Sequence, residues 1–307
     1  MDSYADRLHR AVLDKSSRVC VGLDPRIESL PGALRTSAQK GAVEAAEAYL
    51  SFCCSIIEAV ADLAPVVKPQ AAFFEALGAA GYAALWEVIA CARAHGLLVI
   101  LDAKRGDIGS TAAAYAQAYF EPQDGYPGVD ALTVNGYLGS DGVQPFIDAA
   151  SRTGGGLYVL VKTSNPSSGE IQDLSVETTG GWRLTYQEMA RLVATWGRDL
   201  VGESGYSSVG AVVGATYPDQ LVELREAFPK VPFLVPGYGA QGGGAEDVVG
   251  GFGDRGLGAV VNSSRGILFA YQAEPYSSRF SPAQFAEAAA AATADMRDDL
   301  NRALGLS

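Results

Sequence analysis

Histidine is nearly absent from this chain, with His9 and His95 the only two among 307 residues. We read both as ordinary surface or helix-end residues, His95 standing beside Gly96 near a helix C-terminus, and neither carries assigned chemistry. Cysteine is also sparse. Cys20, Cys53, Cys54 and Cys91 sit in apolar contexts without metal-ligand spacing, which favours buried free thiols, with a catalytic thiol as a remote second reading, and no metal site. No window approaches 18 apolar residues, so no membrane-spanning helix is expected. The first residues, MDSYADRLHRAVLDKSSR, carry acids and no apolar centre of signal-peptide type, and the chain is read as cytoplasmic. Positive charge is in deficit: 23 Lys and Arg against 35 Asp and Glu give a net charge of −12. That balance argues against a nucleic-acid backbone as partner. An anionic ligand remains possible where positive charge is local.

Hydrophobic residues make up 48% of the chain, enough for a large core. Eight apolar, largely β-branched runs recur along it: Val19 to Leu23, Ala64 to Val67, Leu97 to Leu101, Ala131 to Val134, Leu157 to Val161, Val209 to Val213, Val231 to Val235 and Gly258 to Val261. Helically spaced segments such as Ala42 to Ala61, Gly81 to His95, Tyr186 to Val201 and Asp219 to Phe228 lie between them. Strands alternating with helices indicate a parallel sheet. Eight units predict a closed (β/α)8 TIM barrel as one domain over residues 1–307, with a core of about 18–272. Terminal helices near Tyr4 to Leu13 and Pro282 to Leu304 are expected to cap it. The competing open doubly wound sheet would place a Gly-rich turn after the first strand, which Gly22-Leu23-Asp24-Pro25 is not. Ser164 to Gly181 is the longest polar segment and reads as a loop serving as a lid or a mobile element.

In such barrels active sites form at the C-terminal ends of the strands. Those ends supply Asp24, Lys68, Asp102 and Lys104, Thr133 and Asn135, and Lys162, Thr163 and Ser164. The stretch LDAKRGDIG, Leu101 to Gly109, adds Asp107 to Asp102 and Lys104. Buried charge is expensive, so the cluster is either a structural ion network or an active site. Bland readings stand beside the others: Asp24-Pro25 as a strand stop, Lys68 as a solvated lysine, Lys162 as a Schiff-base competitor of lesser weight because Lys104 has carboxylates nearby. The last two strands lead into PGYGAQGGG and NSSRG, where glycines 237, 239, 242, 243 and 244 permit close backbone approach. With an amide at Gln241 and a guanidinium at Arg265, these loops suit a phosphate; a flexible glycine loop with a surface arginine is the alternative.

The motif LDAKRGDIGSTAAAYA, in the form Asp-x-Lys-x-x-Asp-Ile-Gly-x-Thr, resembles the signature of orotidine 5'-phosphate decarboxylases. VGLDPR, VKPQ, PGYGAQGG and NSSRGI match further segments in the same order, from about Val19 to Ile267, and the whole is similar to the longer bacterial branch of that family. The resemblance implies conversion of orotidine 5'-phosphate (OMP) to UMP without a cofactor or metal. It implies Asp24 and Lys68 at the ribose, with Lys68 also in the charged catalytic network, Asp102 beside the departing carboxylate and Lys104 as proton donor to C6. It also implies Ser164 at the pyrimidine and Gln241 and Arg265 at the phosphate. Asp107, Ile108 and Thr111 would reach across a homodimer interface into the neighbouring site. Two alternatives remain. A magnesium-dependent sugar-phosphate decarboxylase shares Asp-x-Lys-x-x-Asp but needs a carboxylate where Lys68 stands. A catalytically silent barrel binding a nucleotide phosphate would keep Gln241 and Arg265 without needing the full charged set.

Overall fold

The computed structural model describes residues 2–122, 125–239 and 243–306. Eight parallel strands close into a barrel: β1 (Val19–Leu23), β2 (Val66–Pro69), β3 (Leu98–Arg105), β4 (Ala131–Val134), β5 (Gly156–Lys162), β8 (Val209–Val213), β9 (Phe233–Pro236) and β10 (Ala259–Ser263). The strands β6 (Ser175–Thr178) and β7 (Gly181–Leu184) form a separate antiparallel hairpin. The closing pair, β1 with β10, sets Val19 beside Val261 and Val21 beside Ser263. All eight apolar runs became barrel strands, because a strand covered by helices on one side and packed inside the barrel on the other is apolar on both faces.

Two cores result. The larger lies between the strands and the surrounding helices and includes Phe52, Ile56, Val99, Leu132 and Phe233. The smaller fills the barrel interior with Cys20, Val66, Ile100, Tyr158, Val212, Leu234 and Val260. The helix Tyr4–Asp14 adds Tyr4, Leu8 and Val12 to this inner core, and the Tyr4 hydroxyl donates to that of Tyr158 at 3.2 Å. It therefore packs under the N-terminal ends of the strands, where a Cβ at Gly156 would meet the Tyr4 ring. The helix Phe285–Ala303 does not cap. Its Ala288, Ala292, Met296 and Leu300 pack in the outer core against the helix Ala42–Val60, so it is a wall helix.

Two further expectations need correction. Ser164 to Gly181 is not an irregular loop: it holds a turn at Pro166–Ser168, a short helix at Gly169–Gln172 and the β6–β7 hairpin. Thr179 and Gly180 make the hairpin's turn, and Gly181, which opens the second strand opposite Thr178, sits at φ 100°. His9 is not a surface residue. It is buried and stacks on Tyr206 at 4.5 Å; its Nδ1 donates to the Ala5 carbonyl, and its Nε2 accepts from the Gly258 N–H at 3.1 Å. Of the four free cysteines, Cys20 and Cys53 are buried while Cys54 and Cys91 are half-buried.

Candidate active site

A cavity of about 670 Å³ opens at the C-terminal ends of the barrel strands. Four cationic side chains, Arg26, Lys68, Lys104 and Arg265, and two carboxylates, Asp24 and Asp102, line it. It is thus a locally positive site in a chain of net charge −12. Of the residues singled out in the sequence, Asp24, Lys68, Asp102, Lys104, Thr133, Thr163, Ser164 and Arg265 meet here.

Asp102 organises the floor. One of its oxygens, Oδ1, accepts from Lys104 Nζ at 2.6 Å and from the Thr133 hydroxyl at 2.9 Å. The other, Oδ2, accepts from Lys68 Nζ at 2.9 Å and Gln70 Nε2 at 3.0 Å. Four donors use the lone-pair directions of a carboxylate fully, so Asp102 has little freedom to turn. Lys68 and Asp102 are buried, whereas the Lys104 side chain is 46% exposed to the cavity. The alternation expected of a regular strand does not by itself produce this geometry. A bulge interrupts the β3–β4 register between Leu101 and Arg105, and Lys104 adopts φ 48°. The Thr133 hydroxyl holds the distorted segment by accepting from the Ala103 and Lys104 N–H groups at 3.0 and 2.9 Å. A lysine in the left-handed region costs on the order of 1–3 kcal/mol, a strain typical of functional sites.

Burial alone would raise the Asp102 pKa, but the ammonium groups of Lys68 and Lys104 outweigh it and hold the carboxyl well below the usual range. Burial would lower that of Lys68; Asp102, followed by Asp24, raises it instead. The signs give a testable pH profile. A depressed carboxylate adds stability above its unfolded pKa of about 4, lost as pH falls through the native value; a raised lysine adds stability below about 10.4, lost at higher pH. Asp102→Asn should therefore flatten the acid limb of a chemical-denaturation profile. An acid limb as steep as that of the wild type would contradict the coupling.

Arg265 begins the short helix Arg265–Leu268, is exposed, and makes no ion pair among the described residues. Close approach of β1 and the β10 loop requires glycine at position 22, where a Cβ would stand 2.0 Å from Ser264 Oγ. Beside it, Gly237 at φ 105° and Gly239 at φ 72° turn the chain after β9. Gln241 lies outside the described residues. Buried polar atoms of three lining residues, Asp24 Oδ1, Arg26 Nε and Asn262 Oδ1, have no hydrogen-bond partner among the described residues. Orphans at this density fit a site whose hydrogen bonds are completed by ligand or water.

The single chain does not bring Asp107, Ile108 and Thr111 into the cavity. Asp107 Oδ1 accepts from the Ile108 N–H at 2.8 Å, the Ile108 side chain faces outward, and Thr111 is exposed. Gln70 and Thr133 were not singled out from sequence as ligands of Asp102, nor Arg26 and Asn262 as lining residues. Gln70 stands in VKPQ and Thr133 at a strand end, so polarity at the barrel rim was the available signal. Lys162, also at a strand end, is excluded from the cavity lining. Among the described residues no group of three or more His, Cys, Asp or Glu is placed to hold a metal ion.

A sequence profile described as Orotidine 5'-phosphate decarboxylase / HUMPS family matches residues 17–277. The chain belongs to this family. It is 51% identical to orotidine 5'-phosphate decarboxylase of Rhodopirellula baltica, over 98% of this chain and 99% of that one. It is 43% identical to the protein of the same name from Deinococcus radiodurans, over 99% of each. Among solved structures, Leishmania donovani OMP decarboxylase superposes with a TM-score of 0.75 at 33% identity, covering 99% of this chain and all of that one. The charged floor at Asp102 and the exposed guanidinium of Arg265 thus belong to a family member aligned along nearly its whole length.

Proposed function

We propose that Lys68, Asp102 and Lys104 form the reacting end of an orotidine 5'-phosphate decarboxylase site, and that Arg265 marks its phosphate end. The protein is a carboxy-lyase that converts OMP to UMP, a step of pyrimidine nucleotide synthesis. The observation that carries the residue assignment is the carboxylate bridge: Asp102 ties both ammonium groups together in the same cavity that Arg265 borders.

The chemistry follows from the charges. The bond from C6 to the carboxylate breaks heterolytically, CO₂ departs, and its electron pair stays on a vinylic carbon. Lys104 is the proposed stabiliser of that pair and then the donor of the proton that C6 acquires, recovering one from water. Asp102 keeps Lys104 charged and oriented, and faces the departing carboxylate. Asp24, whose Oδ1 has no partner among the described residues, and Lys68 are assigned to the ribose hydroxyls, Ser164 to the pyrimidine, and Arg265 with Gln241 to the phosphate. Phosphate binding supplies energy remote from the reacting carbon. No step needs a cofactor or a metal. The magnesium-dependent alternative is disfavoured because the end of β2 offers the Lys68 ammonium, already seated on Asp102, where an ion-binding carboxylate would be required.

We read the barrel and terminal helices as one domain, working in the cytoplasm as a homodimer. No helix among the described residues is long and apolar enough to cross a membrane. Ile108, Tyr137 and Leu138 are large apolar side chains exposed by 57%, 78% and 48%. A Cβ at Gly142 would touch both the Asp107 carbonyl and Leu138, so these residues are neighbours around Asp107. Such a patch favours burial against a second copy, carrying Asp107, Ile108 and Thr111 toward that copy's site.

The test of this reading is release of CO₂ and UMP from OMP by the purified protein; no turnover would overturn it. Arg265→Ala is expected to weaken UMP binding on the order of 10- to 100-fold, the value of a charge-assisted contact. Calorimetric titration with UMP measures this, and unchanged affinity would remove Arg265 from the phosphate site.

A further inference from the structure

Lys162 has no task in the chemistry above, yet it is a fully buried lysine at a strand end. Alternation along β5 would send it into the barrel after Tyr158 and Leu160. A register shift between Leu160 and Lys162 prevents this. The ammonium lies instead 4.5 Å from the Tyr217 ring centre and 5.7 Å from that of Tyr186, and donates to Asp173 Oδ1 at 2.6 Å. Asp173 is its only ion-pair partner among the described residues.

Asp173 belongs to the segment that crosses the cavity wall. Its neighbour Gln172 clamps Thr163, Oε1 accepting from the Thr163 N–H at 2.9 Å and Nε2 donating to the Thr163 hydroxyl at 2.7 Å. The Ser168 and Tyr217 hydroxyls pair at 3.0 Å. Between these anchors lie Ser164 and Asn165, and both line the cavity together with Gln172. If Asp173 moved away, the ammonium would remain buried beside the Tyr217 and Tyr186 faces with no ion-pair partner among the described residues, an unfavourable state. The pair therefore biases residues 163–174 toward the arrangement that walls the cavity.

We propose that Lys162 is a positioning residue: acting through Asp173, its ammonium holds the 163–174 segment over the site and so sets the fit of the nucleobase end of the substrate. The nucleobase assignment rests on the decarboxylase reading of Ser164; the latch itself does not. Lys162→Met removes the buried charge with little change of shape, and Asp173→Asn removes the partner while keeping its size. Hydrogen exchange of the Thr163 to Leu174 amides in the unliganded protein should quicken about tenfold in both variants, the rest of the barrel staying as in the wild type. UMP should bind about tenfold more weakly while inorganic phosphate binds as before, and KM for OMP should rise more than kcat falls. Wild-type exchange in this segment in either folded variant would overturn the latch. Equal weakening of phosphate and UMP would overturn the nucleobase-end role. A failure of the decarboxylase reading would appear separately, as a wild-type protein that neither turns over OMP nor binds UMP.

Discussion

Lys104→Ala should lower kcat for OMP decarboxylation on the order of 10⁴-fold or more. One group serves twice in the proposed reaction, as the charge that stabilises the C6 electron pair and as the acid that protonates it. General acid catalysis contributes roughly 10²- to 10⁴-fold, and a preorganised electrostatic contact roughly 10²- to 10³-fold. Folding should survive, since the Lys104 side chain is 46% exposed and Asp102 keeps Lys68, Gln70 and Thr133 as donors. UMP, which has already lost the carboxylate, should bind within about tenfold of the wild-type affinity, because truncation removes an interaction worth most in the transition state. Steady-state kinetics and UMP titration on the same preparation decide this. Turnover within tenfold of wild type would strip Lys104 of its role.

Asp107→Asn should be nearly as damaging, but only because it deprives another copy. Within one chain Asp107 is bonded to the Ile108 N–H and stands apart from the cavity lining. If it completes the neighbouring site, a hybrid dimer of a Lys104→Ala chain and an Asp107→Asn chain contains one site with both residues intact. Random mixing yields hybrids as half of all dimers, so activity should recover to about a quarter of the wild-type level from two inactive parents. Recovery should follow subunit exchange and fail when the dimers are cross-linked before mixing. Verified hybrids without activity would place Asp107 outside a shared site.

The barrel was legible in the chain because its strands, apolar on both faces, stand out against alanine-rich helices. Val19 to Leu23, Ala131 to Val134 and Val209 to Val213 match β1, β4 and β8 residue for residue. The charged floor was legible for a related reason: Asp102 and Lys104 end an apolar run in which charge has no structural necessity. Two bulges were not legible. Alternation predicts inward side chains at 104 and 162 alike, yet one bulge with Thr133 behind it aims Lys104 at Asp102, and the other directs Lys162 to Asp173. Those outcomes depend on partners 29 and 11 residues away along the chain, beyond any local pattern. His9 was misread because its burial depends on Tyr206 and Gly258, contributed from the far half of the sequence. The Ser164 to Gly181 segment misled through composition: Ser, Thr and Gly signal irregular chain, while cross-strand pairing of Val176 with Arg183 and Glu177 with Trp182 makes a hairpin.

The account joins an ammonium, Lys104, to one end of a nucleotide and a guanidinium, Arg265, to the other. A crystal structure with UMP bound measures this directly. The expected result has the C6 edge of uracil in contact with Lys104 Nζ, roughly 3 Å away, and the phosphate against Arg265 and the start of its helix. UMP seated with its phosphate on the Lys68–Asp102–Lys104 floor, or bound outside this cavity, would contradict it.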